Sequence, residues 1–215
     1  MNQRTRIKIC GVSREAEIAA AVEAGADAIG LVFHPGSPRF VMPERAAALA
    51  RELPPYVTPV GLFVNAPESE IGRVLALIPA LVLQFHGDES PDVCNASGRP
   101  YLRAARMAPG FDLLDFSRRY SEAQGLLLDA HVEGFGGGGK AFDWSLVPAG
   151  VQHPLVLSGG LHAENVVVGI QQLRPWAVDV SSGVESSRGV KDAALIRRFC
   201  DAVREADARI AASTA

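Results

Sequence analysis

Two short runs place a proton-active side chain where an apolar stretch stops. "RIKIC" ends on Cys10, immediately before Gly11, and "GLLLDA" carries Asp129 near its end. A thiol acts as a base only when its thiolate is stabilised locally, and a free cysteine otherwise serves as a small buried hydrophobe. A carboxyl group at the end of an apolar run is costly to bury without partners. Asp129 therefore reads either as an acid–base group or as a residue that caps a turn or pairs with a neighbour such as Arg103. Lys8 stands two residues before Cys10, on the same face of a strand, and is the nearest cation the sequence offers to that thiol.

Other polar residues fall at the ends of similar runs. "QFHGDES" places His86 after an apolar stretch, and "WAVDVSSG" places Asp179, Ser181, Ser182 and Gly183 together. "LSGG" supplies Ser158, Gly159 and Gly160 ahead of a helical pattern. Glycines let backbone N–H groups approach an anion, and the start of a helix favours negative charge. Two such loops in succession predict a phosphate site, although each alone also reads as an ordinary turn. Arg39 lies in "HPGSPRFV", where flanking prolines restrict the chain, which suits a fixed guanidinium fork for a carboxylate or an exposed surface arginine.

The elements that must position these residues repeat regularly. Short apolar runs alternate with alanine-rich helical patterns: "RIKIC", "DAIGLVF", "VTPVGLFV", "ALVLQFH", "RPYLRAAR", "GLLLDA", "PLVLSGG" and "WAVDVSSG" are the expected strands. Their continuous apolar character is that of parallel strands covered on both faces. "REAEIAAAVEAG" is an expected helix with Ser13 as its N-cap, and "KDAALIRRFCDAVREADARI" is the closing one. Eight units in 215 residues, roughly 27 each, predict a single (β/α)8 TIM barrel of class α/β spanning residues 1–215. A doubly wound open sheet is the competing arrangement. Barrel enzymes keep their sites where the C-terminal ends of the strands meet, and the polar residues above all fall there.

Composition narrows the function. The net charge is −3 and charged residues make up 21%, so no strong field attracts nucleic acid or an anionic membrane. No run is long enough to cross a bilayer. Arg4, Arg6 and Lys8 precede no continuous apolar core, and the three scattered cysteines suggest no disulfide framework, so a reducing cytoplasm is expected. Cys94 and Cys200 fall within helical patterns and read as core. No clustered His/Cys spacing suggests a metal. "GFGGGGKA", Gly134–Ala141, nearly matches a nucleotide-binding P-loop, but Ala141 replaces the hydroxyl residue that would hold magnesium. It also lacks a strand just before and a helix just after, so residues 131–142 are expected to form a lid over the mouth.

Taken in order, "KICG", "SPR", "QFHG", "LLLD", "GGGGKAFDW", "LSGGL", "DVSSGVE" and "GVKD" resemble the phosphoribosylanthranilate isomerases of tryptophan biosynthesis, over Lys8 to Asp192. The resemblance implies a barrel enzyme that performs an Amadori rearrangement. In it Asp129 would be the general acid, Cys10 the general base, Arg39 the binder of the anthranilate carboxylate, and Gly159, Gly160, Ser181, Ser182 and Gly183 the phosphate site. His86, Asp179 and Lys8 are second-tier candidates. It implies no metal and no organic cofactor. The expected partner is a phosphorylated small molecule, and the sequence leaves monomer and homodimer open. Two positions depart from the family pattern: Gly138 stands in place of a threonine, and Ser158 in place of an alanine. A different phosphate-binding barrel isomerase or epimerase, and a non-catalytic barrel that binds a phosphorylated ligand, remain competing readings. Cys10 and Asp129 separate them.

Overall fold

The computed structural model describes residues 4–130 and 141–214. The lid expected over residues 131–142, with His131 and Lys140, therefore lies outside the described residues except for its last two positions. Eight parallel strands close into a barrel in the order β1-β2-β3-β4-β5-β6-β7-β8. They are β1 (Arg6–Cys10), β2 (Ala28–Val32), β3 (Thr58–Phe63), β4 (Val82–Phe85), β5 (Tyr101–Met107), β6 (Gly125–Ala130), β7 (Leu155–Leu157) and β8 (Ala177–Val180). The helices between them are α1 (Glu15–Glu23), α2 (Pro43–Arg51), α3 (Glu68–Leu77), α4 (Pro91–Asn95), α5 (Leu113–Arg119) and α6 (Ala163–Leu173), and α7 (Ala193–Thr214) closes the chain. A 3-10 turn (Trp144–Leu146) stands between β6 and β7 where the other units carry an α-helix. Among the described residues no helix is long and apolar enough to cross a membrane.

The helices start where the sequence chemistry allows. Pro43 and Pro91 open α2 and α4, where a missing N–H costs nothing. The start of α1 falls one residue later than expected, because Arg14 and not Ser13 is the N-cap. Glu17, at N3, reaches back in the manner of a capping box: its carboxylate accepts from the backbone N–H of the N-cap Arg14 (3.2 Å) and of Ser13 (2.8 Å).

Alternation along each strand sorts the residues between two environments. Ile7 and Ile9 of β1 point outward and join the core beneath the helices, with Ile29, Leu31, Phe63, Leu83, Phe85, Leu126 and Leu128. The inward set is smaller and more polar. Ala104, Leu127 and Val156, with Ala177 against them, fill one side of the interior. Above and opposite them stand Lys8, Cys10, Gln84, His86, Asp129, Ser158 and Asp179, all buried. Within the barrel, the apolar groups thus take the lower layer on one side and the titratable groups collect toward the C-terminal mouth.

One small element lies outside the barrel plan. After β8 a 3-10 turn (Ser182–Val184) leads into an antiparallel pair, β9 (Glu185–Ser187) and β10 (Val190–Lys191). The hairpin carries two charged side chains back toward β1.

Candidate active site

The strand pairing of β1 with β8 brings Lys8 opposite Asp179. Lys8 Nζ donates to Asp179 Oδ1 at 2.7 Å, with both side chains only 5% exposed. Ser158 Oγ donates to the other oxygen, Asp179 Oδ2, at 3.3 Å. Burial alone would drive Lys8 toward its neutral form, but the Asp179 carboxylate and the Cys10 sulfur hold its pKa above the ordinary lysine value. Asp179, expected as a second-tier site residue, is the counter-ion of Lys8.

Cys10 lies beside that pair. Its partner on β2 is Gly30, and a Cβ there would stand 2.7 Å from Cys10 Sγ and 3.0 Å from Lys8 Nζ. The missing side chain is the space into which the thiol and the ammonium project. Burial pushes the Cys10 thiol above its usual pKa, and Asp179 adds to that; Lys8 and Lys191 pull it down without reversing the balance. The free protein therefore holds Cys10 as a thiol. Its carbonyl accepts from Ser181 Oγ at 3.0 Å.

Asp129 enters from β6. Oδ1 accepts from the Ala130 N–H at 2.9 Å, and Oδ2 is 2.8 Å from His86 Nε2. On its far side His86 meets Gln84, with Nδ1 3.1 Å from the amide Nε2. Gly159 sits against the acid: a Cβ there would stand 2.8 Å from Asp129 Oδ1. The expected pairing of Asp129 with Arg103 is not formed. Arg103 points away from the barrel axis, donates to the carbonyls of Phe85 (3.0 Å) and Gly87 (3.1 Å), and lies 4.8 Å above the ring of Tyr120. The strand runs on to Met107, so the inward arginine at its mouth end is Arg106, paired in register with Asp129. Arg106 donates to Asp88 Oδ1 at 3.0 Å and to the His86 carbonyl at 3.1 Å.

Arg39 is fixed by more than its prolines. Its Nε and Nη2 donate to the two oxygens of Glu185 at 2.6 and 2.9 Å. That edge of the fork is occupied, and the Nη1 side faces outward from the pair. Lys191 Nζ, wholly buried, donates to Glu185 Oε1 (2.8 Å) and to the Ser181 carbonyl (3.0 Å). Gly11, with φ +76°, allows the aliphatic part of Arg39 to lie against the β1 turn. Neither Glu185 nor Lys191 is singled out by the sequence, although both stand inside "DVSSGVE" and "GVKD".

The two glycine loops meet backbone to backbone. Gly159 and Gly160 have φ of +77° and +63°, a region that favours glycine. Gly183 lies against the Leu161 carbonyl, where a side chain would overlap it. Asn165, in the first turn of α6, ties the loop down by donating to the Gly160 carbonyl at 2.9 Å. Among the described residues the N–H groups of Gly159, Gly160, Ser182 and Gly183 make no backbone hydrogen bond. The Ser181 hydroxyl, by contrast, is committed to the Cys10 carbonyl. The loops thus offer main-chain donors above β7 and β8, beside the N-terminus of an 11-residue helix.

Known proteins share this chain's sequence pattern and fold. The family model for N-(5'-phosphoribosyl)anthranilate (PRA) isomerase matches residues 7–202. The N-(5'-phosphoribosyl)anthranilate isomerase of Methylibium petroleiphilum is 70% identical over 210 residues, covering 98% of this chain and 99% of its own. The crystal structure of the phosphoribosyl anthranilate isomerase from Thermus thermophilus superposes with a TM-score of 0.85 at 33% identity, covering 94% of this chain and 99% of its own. A second crystal structure of such an isomerase, with a TM-score of 0.78, 36% identity and coverage of 94% and 99%, is a complex with reduced 1-(o-carboxyphenylamino)-1-deoxyribulose 5-phosphate.

Proposed function

Since this chain belongs to the N-(5'-phosphoribosyl)anthranilate isomerase family of tryptophan biosynthesis, we propose that Asp129 and Cys10 perform the two proton transfers of its Amadori rearrangement. Asp129 protonates the ribose ring oxygen of N-(5-phosphoribosyl)anthranilate, and the C1–O bond opens to a protonated imine. Cys10, as thiolate, takes the proton from C2. The electron pair of that C–H bond moves to the cationic imine, which is its own electron sink, and the enolamine tautomerises to the ketone. The product is 1-(2-carboxyphenylamino)-1-deoxyribulose 5-phosphate.

The observation that carries this reading is the pair of inward proton sites at one mouth. Asp129 with His86 projects from one side, and Cys10 between Lys8 and the Ser181 turn projects from the other. The thiolate is the minor form in the free protein because burial dominates. Lys8, Lys191 and the cationic imine of the bound substrate oppose that burial. Arg39 receives the anthranilate carboxylate on its Nη1 side while Glu185 holds the other edge. The phosphate lies on the N–H groups of Gly159, Gly160, Ser182 and Gly183, with Ser181 in support as the residue that fixes the turn.

The test is direct. Purified protein converts the substrate, followed by loss of its anthranilate fluorescence. Cys10→Ser and Asp129→Asn each lower kcat by a factor on the order of 100 or more, while the reduced product analogue binds as it does to the parent protein. Full activity in either variant sinks the assignment.

A further inference from the structure

Gln84 is a polar side chain in the barrel interior that this reaction scheme leaves unused. It lies on β4 two residues before His86, so both face the axis. It is 0% exposed. Its Nε2 is used, at 3.1 Å from His86 Nδ1. Its Oε1 is buried without a hydrogen-bond partner among the described residues. A buried amide oxygen with no donor is costly, and an apolar side chain of the same size would avoid the cost. The interior around it already uses that solution at Ala104, Leu127 and Val156.

We propose that Gln84 is a positioning residue whose amide turns over with the protonation of the His86–Asp129 pair. In the observed orientation its N–H donates to His86 Nδ1. The single proton of neutral imidazole is then on Nε2, and it donates to Asp129 Oδ2 at 2.8 Å. Uptake of one proton from solvent puts a hydrogen on both sides of the ring: Nδ1 carries one, and the other is shared between Nε2 and Oδ2. Nδ1–H then opposes the amide N–H. A half-turn about the last torsion of Gln84 brings Oε1 to that position, and the unpaired atom becomes the acceptor. Each protonation state thus has one amide orientation that satisfies the ring. The inference rests on Asp129 acting as the acid, because it is the protonated pair that gives a proton to the ring oxygen. Gln84 itself acts only through His86.

Charged groups face this pair from the other strands. They are Lys8 on β1, Arg106 on β5, and Asp179 on β8, with Asp88 and Glu89 in the loop after β4, and the titratable but neutral thiol of Cys10 stands beside Lys8. Lys8 is matched by Asp179 and Arg106 by Asp88. Glu89 turns to the N–H groups of Asn65 and Gly87. The inward residues of β2, β3 and β7 include Gly30 and Val32, Leu62, and Ser158. Gln84 is the neutral partner able to answer a change of charge on the ring.

Two variants with opposite expected signs test this on the full chain. The readouts are the pH profile of kcat and the histidine nitrogen NMR spectrum, with the His86 signals identified by their loss in His86→Asn. Gln84→Leu removes the acceptor at Nδ1, which weighs most on the charged ring. The alkaline limb of kcat and the protonation midpoint of His86 both move down by about one pH unit. Gln84→Glu supplies a permanent acceptor, and both move up by about as much. A merely structural role would lower kcat evenly across pH and leave the His86 titration in place; that result, or shifts of the same sign, overturns the proposal. The parent protein carries an independent check should either variant not fold. Its neutral His86 carries the proton on Nε2, and an Nδ1–H tautomer at high pH overturns the proposal without any variant. The two readings fail separately. Full activity in Asp129→Asn removes the acid assignment, while the response of the His86 titration to Gln84 decides the positioning role.

Discussion

Arg39 and Glu185 form a two-pronged ion pair across the top of the barrel, Nε to Oε1 at 2.6 Å and Nη2 to Oε2 at 2.9 Å. Glu185 also accepts from Lys191 Nζ and from the Gly189 N–H at 3.1 Å, so one carboxylate organises two cations and a turn. Its side chain is 5% exposed. The arrangement pre-sets the guanidinium: one edge is held by protein, so a carboxylate bound on the other, as proposed above, would meet it without a search through rotamers.

That clamp predicts an acid-labile site. Burial pushes the Glu185 carboxyl up, but the hydrogen bonds from Arg39 and Lys191 outweigh it and hold the pKa at about 2. A depressed carboxyl pKa contributes stability that is fully present above the ordinary value of 4.5 and is lost as pH falls toward the folded value. Glu185→Gln removes this contribution and leaves Arg39 facing Lys191. Denaturant unfolding at about pH 6 and about pH 3 measures it: the parent chain loses more stability between the two than the variant does. The variant also raises KM about tenfold, the equivalent of one charge-assisted hydrogen bond to the substrate carboxylate. Parallel losses of stability in the two proteins, with KM unchanged, would show that the clamp organises nothing.

Lys8 makes a prediction of defined sign for the thiol. It lowers the Cys10 pKa, while burial and Asp179 raise it. Lys8→Met removes the lowering influence and leaves the Asp179 carboxylate facing the sulfur. The thiol pKa therefore rises, and the acid limb of the kcat profile, where the thiolate forms, moves to higher pH. Lys8→Met with Asp179→Asn removes both charges and brings the limb partway back. The rate of Cys10 alkylation as a function of pH reads the same quantity without turnover. An acid limb that stays in place in Lys8→Met would mean that this cation does not tune the base.

The division between what the residues announced and what they concealed follows from distance along the chain. Strand ends were legible because each apolar run stops at a polar residue, and the period of two on β1 linked Lys8 to Cys10. The same period on β4 links Gln84 to His86, but an amide inside an apolar run carries no charge to draw notice. On β5 the signal misled: "RPYLRAAR" contains arginines at 99, 103 and 106, and which one reaches the mouth depends on where the strand stops. The strand continues to Met107, so Arg106 takes the inward position and Arg103 packs under α5. Glu185 and Lys191 lie in a polar stretch with no periodicity, and their meaning comes from Arg39, 146 residues away from Glu185. Gly30 is informative only once β2 is set beside Cys10.

The junction of the two glycine loops gives the last prediction. Gly183 stands so close to the Leu161 carbonyl that an alanine would overlap it, and Leu161 directly follows Gly160. The overlap is with backbone, which cannot rotate away as a side chain does. Asn165 holds one side of the junction through its bonds to the Gly160 carbonyl and the His162 N–H, both 2.9 Å. Gly183→Ala therefore moves the other side, and the N–H groups of Ser182 and Gly183 leave their alignment with those of Gly159 and Gly160. Losing one or two charge-assisted bonds, each about 1.5–3 kcal/mol, weakens the phosphorylated product analogue by roughly tenfold or more. Calorimetric titration compares it with the same analogue lacking the phosphate, whose affinity stays as in the parent chain. An equal loss for both ligands would assign the damage to the barrel mouth as a whole and not to a phosphate cradle built by these loops.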